Sequence, residues 1–86
     1  MDINSLNLII EKKISQNISC KKIIIEDKTY LHKNHKSHEK NKFHIKLIIK
    51  SDELLKMNKI ESTKKIYKIL DYELKKYIHS IQVLLS

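Results

Sequence analysis

None of the 86 residues is glycine and none is proline. Without glycine there is no P-loop, no dinucleotide fingerprint and no glycine-bearing clamp for a phosphate. Nucleotide-dependent chemistry is therefore not expected. The length limits the chain further, to a single domain over residues 1–86. A core of that size supports two or three helices packed on one small sheet. An active site that needs a second substrate domain does not fit. A hydrophobic content of 41% is enough for a folded core and argues against global disorder.

Periodicity assigns the elements. Ile3, Leu6, Ile10 and Ile14 recur at spacings of three and four, which predicts a helix over residues 3–15 capped by Asp2 or Asn4. Within 18–27, the β-branched run Ile23-Ile24-Ile25 reads as a buried strand. Residues 28–42 are polar, rich in histidine and without period, and read as a loop. Phe43, Ile45, Leu47 and Ile49 alternate with His44, Lys46, Ile48 and Lys50, the period of a second strand. After the turn Ser51-Asp52-Glu53, an extra helical turn fits near Asp52–Lys56. Asn58 and Glu61 have the spacing of a capping box with Asn in place of Ser or Thr. One long helix then runs to about Tyr77, with Thr63, Ile66, Tyr67, Leu70, Leu74 and Tyr77 as its apolar arc. Ile81, Val83 and Leu85 alternate in a last strand.

The predicted class is α+β in the order α-β-β-α-β, with a short extra helix before the long one. The first two strands can pair antiparallel, and a right-handed crossover makes the last parallel to the second. The result is a three-stranded mixed sheet with helices on one face.

All 18 basic residues are lysine, against 10 acidic ones, for a net charge of +8. Ile, Asn and Lys recur throughout, as in sequences shaped by AT-rich codons. The surplus then reads first as a solvated surface, and only second as attraction to nucleic acid or an acidic partner. The single cysteine, Cys20, cannot form an intramolecular disulfide and suits a reducing compartment. Asp2 and Glu11 flank the apolar patch Leu8–Ile10, which is not the pattern of a signal peptide. No apolar run approaches the roughly 20 residues of a membrane span. A cytoplasmic location is expected.

The histidines are the feature to explain. His32, His35 and His38 recur every third residue in the loop, while His44 opens the second strand and His79 the third. Imidazole is the commonest metal ligand among side chains. The loop histidines read either as a hydrated connection or as metal ligands, and without paired cysteines a zinc finger is not indicated. His79 could also cap the C-terminal end of the long helix. Cys20 has no nucleophile signature and reads as structural. Glu26 and Asp27 point to opposite faces of a strand and cannot serve as an acid–base pair on one bond. No residue set supplies nucleophile, base and orienting group, so an enzyme is not expected. Lys64, Lys65, Lys68 and Lys75 on the long helix read as a solvated face or as contacts to DNA phosphates.

These residues, in this order, resemble the BolA family. Glu26-Asp27-Lys28-Thr29-Tyr30-Leu31-His32 is similar to the acidic-polar-His end of that family's first strand. His32-Lys33-Asn34-His35-Lys36-Ser37-His38 resembles its His-x-x-His loop. His44-Ile45-Lys46-Leu47 through Ser51-Asp52 resembles its His-Phe-Lys strand ending in Ser-Asp. Ile66–Leu70, Glu73-Leu74 and Ile78-His79-Ser80-Ile81 match its helix and the start of its last strand. The likeness runs from about Asn4 to Leu85. Two segments depart from it. The family's Arg-His-Arg falls on Ser62-Thr63-Lys64, and its Phe-x-Gly turn on Leu54-Leu55-Lys56.

The resemblance implies a KH-like fold and a non-catalytic adaptor. Its partner would be a monothiol glutaredoxin, with which it shares a [2Fe–2S] cluster in iron–sulfur trafficking or iron and redox regulation. Glutaredoxin cysteine and glutathione would ligate one side. His79 and His32 would ligate the other, with His35 and His38 as alternatives. The isolated chain would carry no cofactor and be a monomer, forming a heterodimer with glutaredoxin. A DNA-binding regulator using Lys64, Lys65, Lys68 and Lys75 is the alternative, and binding of zinc or nickel by the loop a third. No membrane partner is expected.

Overall fold

The computed structural model describes residues 1–29 and 42–86. Helix α1 spans Ile3–Asn17, two residues beyond its predicted end. Asp2 caps it, its carboxylate accepting a 2.8 Å hydrogen bond from the Ser5 amide. That bond holds the Asp2 carboxyl below its ordinary range. Leu6, Ile10 and Ile14 are completely buried, as the periodicity requires. Ile18, in extended conformation, carries the stripe one step past the helix and is also buried.

Strands β1 (Lys22–Asp27) and β2 (Phe43–Lys50) are antiparallel, with Ile23 opposite Ile49 and Ile25 opposite Leu47. Strand β3 (Ile78–Leu85) lies parallel to β2, so the sheet is mixed, with order β1-β2-β3. Alternation puts Ile45, Leu47 and Ile49 on the helix-covered face, where all three are buried. Each such side chain contributes about 1.5–3 kcal/mol of hydrophobic stabilisation. The other face carries Ile24, Ile48 and Leu84 in one row across the three strands, and Glu26, Lys46 and Gln82 in the next. Among the described residues no helix is long and apolar enough to cross a membrane.

The expected extra turn is helix α2, Asp52–Leu55. Buried Ser51 caps it, accepting from the Leu54 amide at 3.2 Å. The same hydroxyl donates to the Ser19 carbonyl at 2.7 Å, tying the approach to β1 against the end of β2. Asn58 caps the next helix through the Glu61 amide at 2.8 Å.

The single long helix is corrected. It is two helices, α3 (Lys59–Ile69) and α4 (Asp71–Lys76), joined at Leu70, whose φ of −99° and ψ of 18° leave the helical range. Leu70 is fully buried at this joint. The core face is also rotated from the predicted arc. Ser62, Ile66 and Leu70 are buried, whereas Tyr67 is 42% exposed. Ser62 fits inside because its hydroxyl donates to the Lys59 carbonyl at 3.1 Å. Glu73 of α4 is 3% exposed and is gripped by Lys13 of α1.

Candidate functional site

The site forms where β2 and β3 begin. Phe43 stands opposite Ile78, but His44 stands opposite Ser80. One residue of β3, His79, is therefore an extra in the ladder. A bulge of this kind re-aims the side chain of its extra residue, and His79 is exposed. The Phe43 amide, donating to the Tyr77 carbonyl at 2.8 Å, anchors the strand just below the irregularity.

His44 is only 6% exposed. Its Nδ1 lies 2.6 Å from the Ser80 hydroxyl. Its ring lies beside that of His79, centroids 4.9 Å apart and planes inclined by 48°. The backbone of His44 is fixed by the end of β1. The Lys28 amide donates to the His44 carbonyl at 2.7 Å, and the His44 amide donates to the Thr29 hydroxyl at 3.2 Å. Asp27 orients Thr29 in turn, accepting from its amide at 2.9 Å and from its hydroxyl. A cleft of about 320 Å³ opens beside His44 and is lined also by Lys28, Lys46, Ser80 and Gln82. Lys28 and Lys46 approach Glu26 at 3.5 and 3.9 Å, so two ammonium groups share one carboxylate here.

Among the described residues no three of His, Cys, Asp and Glu converge as a metal cage. Two imidazoles do come together, and two nitrogen ligands are what one iron of a Rieske-type [2Fe–2S] centre takes from its protein. Exposed His79 is a nitrogen donor of the kind such a centre takes.

The residues singled out in the sequence fare differently. His79 is a strand residue. The cap of α4 is Tyr77, whose amide donates to the Glu73 carbonyl, so the helix-cap reading of His79 is set aside. His32, His35 and His38 lie outside the described residues. Of the four lysines, Lys65 is bonded to Glu53 and Lys75 to Asp71, each at 3.0 Å. Lys64 and Lys68 are exposed on α3. Cys20 is half-buried, its thiol pushed up in pKa by burial and then by nearby Glu53, with a Ser51 hydrogen bond opposing. His44, noted in the sequence as the residue that opens the second strand, lies against the ring of His79.

A family model described as BolA-like protein matches residues 14–86. The chain belongs to the BolA family. Three solved structures share the fold of this BolA-like chain. The BolA domain of SufE1 from Arabidopsis thaliana superposes with a TM-score of 0.77 at 22% identity, over 100% of this chain and 93% of that one. BolA1 from Arabidopsis thaliana gives 0.73 at 21% identity, over 90% and 85%. A bol-like protein from Babesia bovis gives 0.68 at 12% identity, over 91% and 79%. No curated protein matches the chain. The α+β class and the mixed three-stranded sheet expected from the sequence are thus those of BolA domains.

Proposed function

We propose that this BolA-like chain is a non-catalytic adaptor that shares a [2Fe–2S] cluster with a monothiol glutaredoxin, in iron–sulfur trafficking or in iron and redox regulation. The observation that carries this reading is exposed His79, set out from β3 by a bulge and paired with a second imidazole. An exposed ligand at a sheet end can be reached by a partner that brings the other half of the site. The glutaredoxin cysteine and glutathione serve one iron, and histidines of this chain serve the other. Neutral imidazoles in place of thiolates remove negative charge and raise the reduction potential. The resemblance puts the ligand beside His79 on His32, with His35 or His38 as alternatives. A DNA-binding role has weaker support, because Lys65 and Lys75 are each engaged by a carboxylate.

The test is reconstitution of the full chain with a monothiol glutaredoxin, glutathione, iron and sulfide, followed by visible circular dichroism. A heterodimer spectrum distinct from that of the glutaredoxin homodimer, and lost in His79→Ala, supports the adaptor. If the two proteins form no complex, with or without a cluster, the proposal fails.

A further inference from the structure

Helix α3 carries two stripes. Ser62 and Ile66, followed by Leu70 at the joint, face the core and are buried. The second stripe runs along the outer side as Ile60, Thr63, Lys64 and Tyr67, at i, i+3, i+4 and i+7, the spacing with which one helix meets another. With Lys59 these residues line a hollow of about 510 Å³. Ile60 is 68% exposed, so nothing in the chain covers it. A second hollow, of about 340 Å³, shares Lys59 and Thr63 with the first. It continues past exposed Leu55 and Met57 to Val83 and Leu85 at the outer edge of β3. The two form one groove. Single exposed apolar side chains are ordinary on a protein surface, whereas a contiguous apolar run with a polar rim marks an interaction site.

The rim indicates the charge of the occupant. Lys59 and Lys64 flank the groove and meet no carboxylate among the described residues, whereas Lys65 is bonded to Glu53. Glu61, the acidic residue of α3, is not among the walls. A second copy of the chain, at a net charge of +8, would bring lysine against lysine. The groove is concave, which suits inserted side chains better than the flat surface of a membrane. Both segments that depart from the BolA pattern, Leu54-Leu55-Lys56 and Ser62-Thr63-Lys64, contribute walls, so this surface is particular to this chain.

We infer that the groove docks an acidic amphipathic helix of a protein partner. The apolar stripe of that helix lies against Leu55, Ile60 and Tyr67, and its flanking carboxylates face Lys59 and Lys64. His79 opens β3, while Val83 and Leu85 lie about 13 to 20 Å further along the strand at its usual rise. A helix in the groove therefore leaves His79 open to a second partner. The docking needs no cluster, and it stands or falls apart from the adaptor reading.

The test uses the full chain labelled with 15N and a synthetic three-turn helical peptide whose Leu stripe is flanked by Glu. Amide shifts should concentrate at Ile60, Thr63, Tyr67 and Val83 and leave Lys28 and Lys46 unmoved. Ile60→Ser should weaken binding about tenfold, the worth of one apolar side chain. Lys64→Glu should weaken it several-fold and more at low salt. Both positions are exposed, so neither variant disturbs the core. The same peptide with Ser for Leu, or with Lys for Glu, should not bind. Equal binding of either control, or shifts spread over all the lysines, would reduce the effect to general charge attraction and overturn the site. Absence of any shift would do the same. Shifts at these amides that grow with protein concentration alone would give the groove to a second copy. Binding to phosphatidylserine vesicles lost in Ile60→Ser, with no response to the peptide, would give it to a membrane. Either result would overturn the inference.

Discussion

The ammonium of Lys13 lies 2.7 Å from one carboxylate oxygen of Glu73 and 2.9 Å from the other, joining α1 to α4 across most of the chain. Glu73 is 3% exposed, whereas the Lys13 side chain is 38% exposed. The two partners are therefore unequal. Removing the lysine strands a buried charge, while removing the carboxylate returns a lysine to water. Lys13→Ala should cost about 1–3 kcal/mol, the penalty of an unsatisfied buried group. In a domain this small each kcal/mol moves the melting midpoint by about 4–8 °C. Glu73→Gln, which keeps the shape, should cost less. Equal melting points for Lys13→Ala and wild type would show that water solvates Glu73 without Lys13.

How far the sequence reaches follows from which interactions are local. The alternation of Ile45, Leu47 and Ile49 and the stripe Leu6, Ile10, Ile14 each follow from one element meeting one core, and both were legible. The caps Ser51 and Asn58 act within three residues and lie where turn chemistry puts them. The break at Leu70 was hidden, since neither glycine nor proline marks it and the apolar spacing runs through. The break sets α4 where Glu73 meets Lys13, a tertiary contact that spacing along one helix does not encode. The pairing of His44 with His79 was hidden for a related reason. It depends on the parallel register of β2 and β3 and on a one-residue bulge, and period-two alternation fixes neither. Tyr67 was placed inside by spacing alone, whereas the small, hydrogen-bonded Ser62 takes the inner face.

Ser51 should be the least replaceable small residue in the fold. Its hydroxyl accepts from the Leu54 amide in buried surroundings and donates to the Ser19 carbonyl at the partly exposed approach to β1. Ser51→Ala removes a helix cap and leaves two backbone groups short of a partner, for about 1–3 kcal/mol. Asn58→Ala, at an exposed cap, should cost about 1 kcal/mol. Chemical denaturation of both variants gives the comparison, and a Ser51→Ala variant no less stable than Asn58→Ala would contradict it.

Cys20 should behave as a poor nucleophile in the folded chain. Burial and the Glu53 carboxylate both disfavour the thiolate, and the thiolate is the reactive form. Alkylation by iodoacetamide at pH 7.5 should be slower in the native protein than in urea, and Glu53→Gln should narrow the gap. The raised thiol also links to stability. The folded state keeps its proton to higher pH, so the contribution is full below the ordinary value of 9.0 and is lost as pH rises through the raised one. A native alkylation rate equal to the rate in urea would refute the shift.

The lysines separate the adaptor from a DNA-binding regulator. Phosphate contacts release counterions, and each lysine that makes one adds about one unit to the slope of log affinity against log salt. Lys65 and Lys75 already face Glu53 and Asp71, whereas Lys64 and Lys68 stand exposed on α3. Any affinity for duplex DNA should therefore be weak, fall steeply between low and physiological salt, and lose slope in Lys64→Ala and Lys68→Ala. Lys75→Ala should change it little. Fluorescence anisotropy with a labelled duplex over a salt series measures all of these. An equal loss of slope from all four lysines would mean that the ion pairs open on DNA, and the regulator would then displace the adaptor as the leading role, whereas an affinity unchanged by salt, or no binding, would remove the phosphate-contact reading.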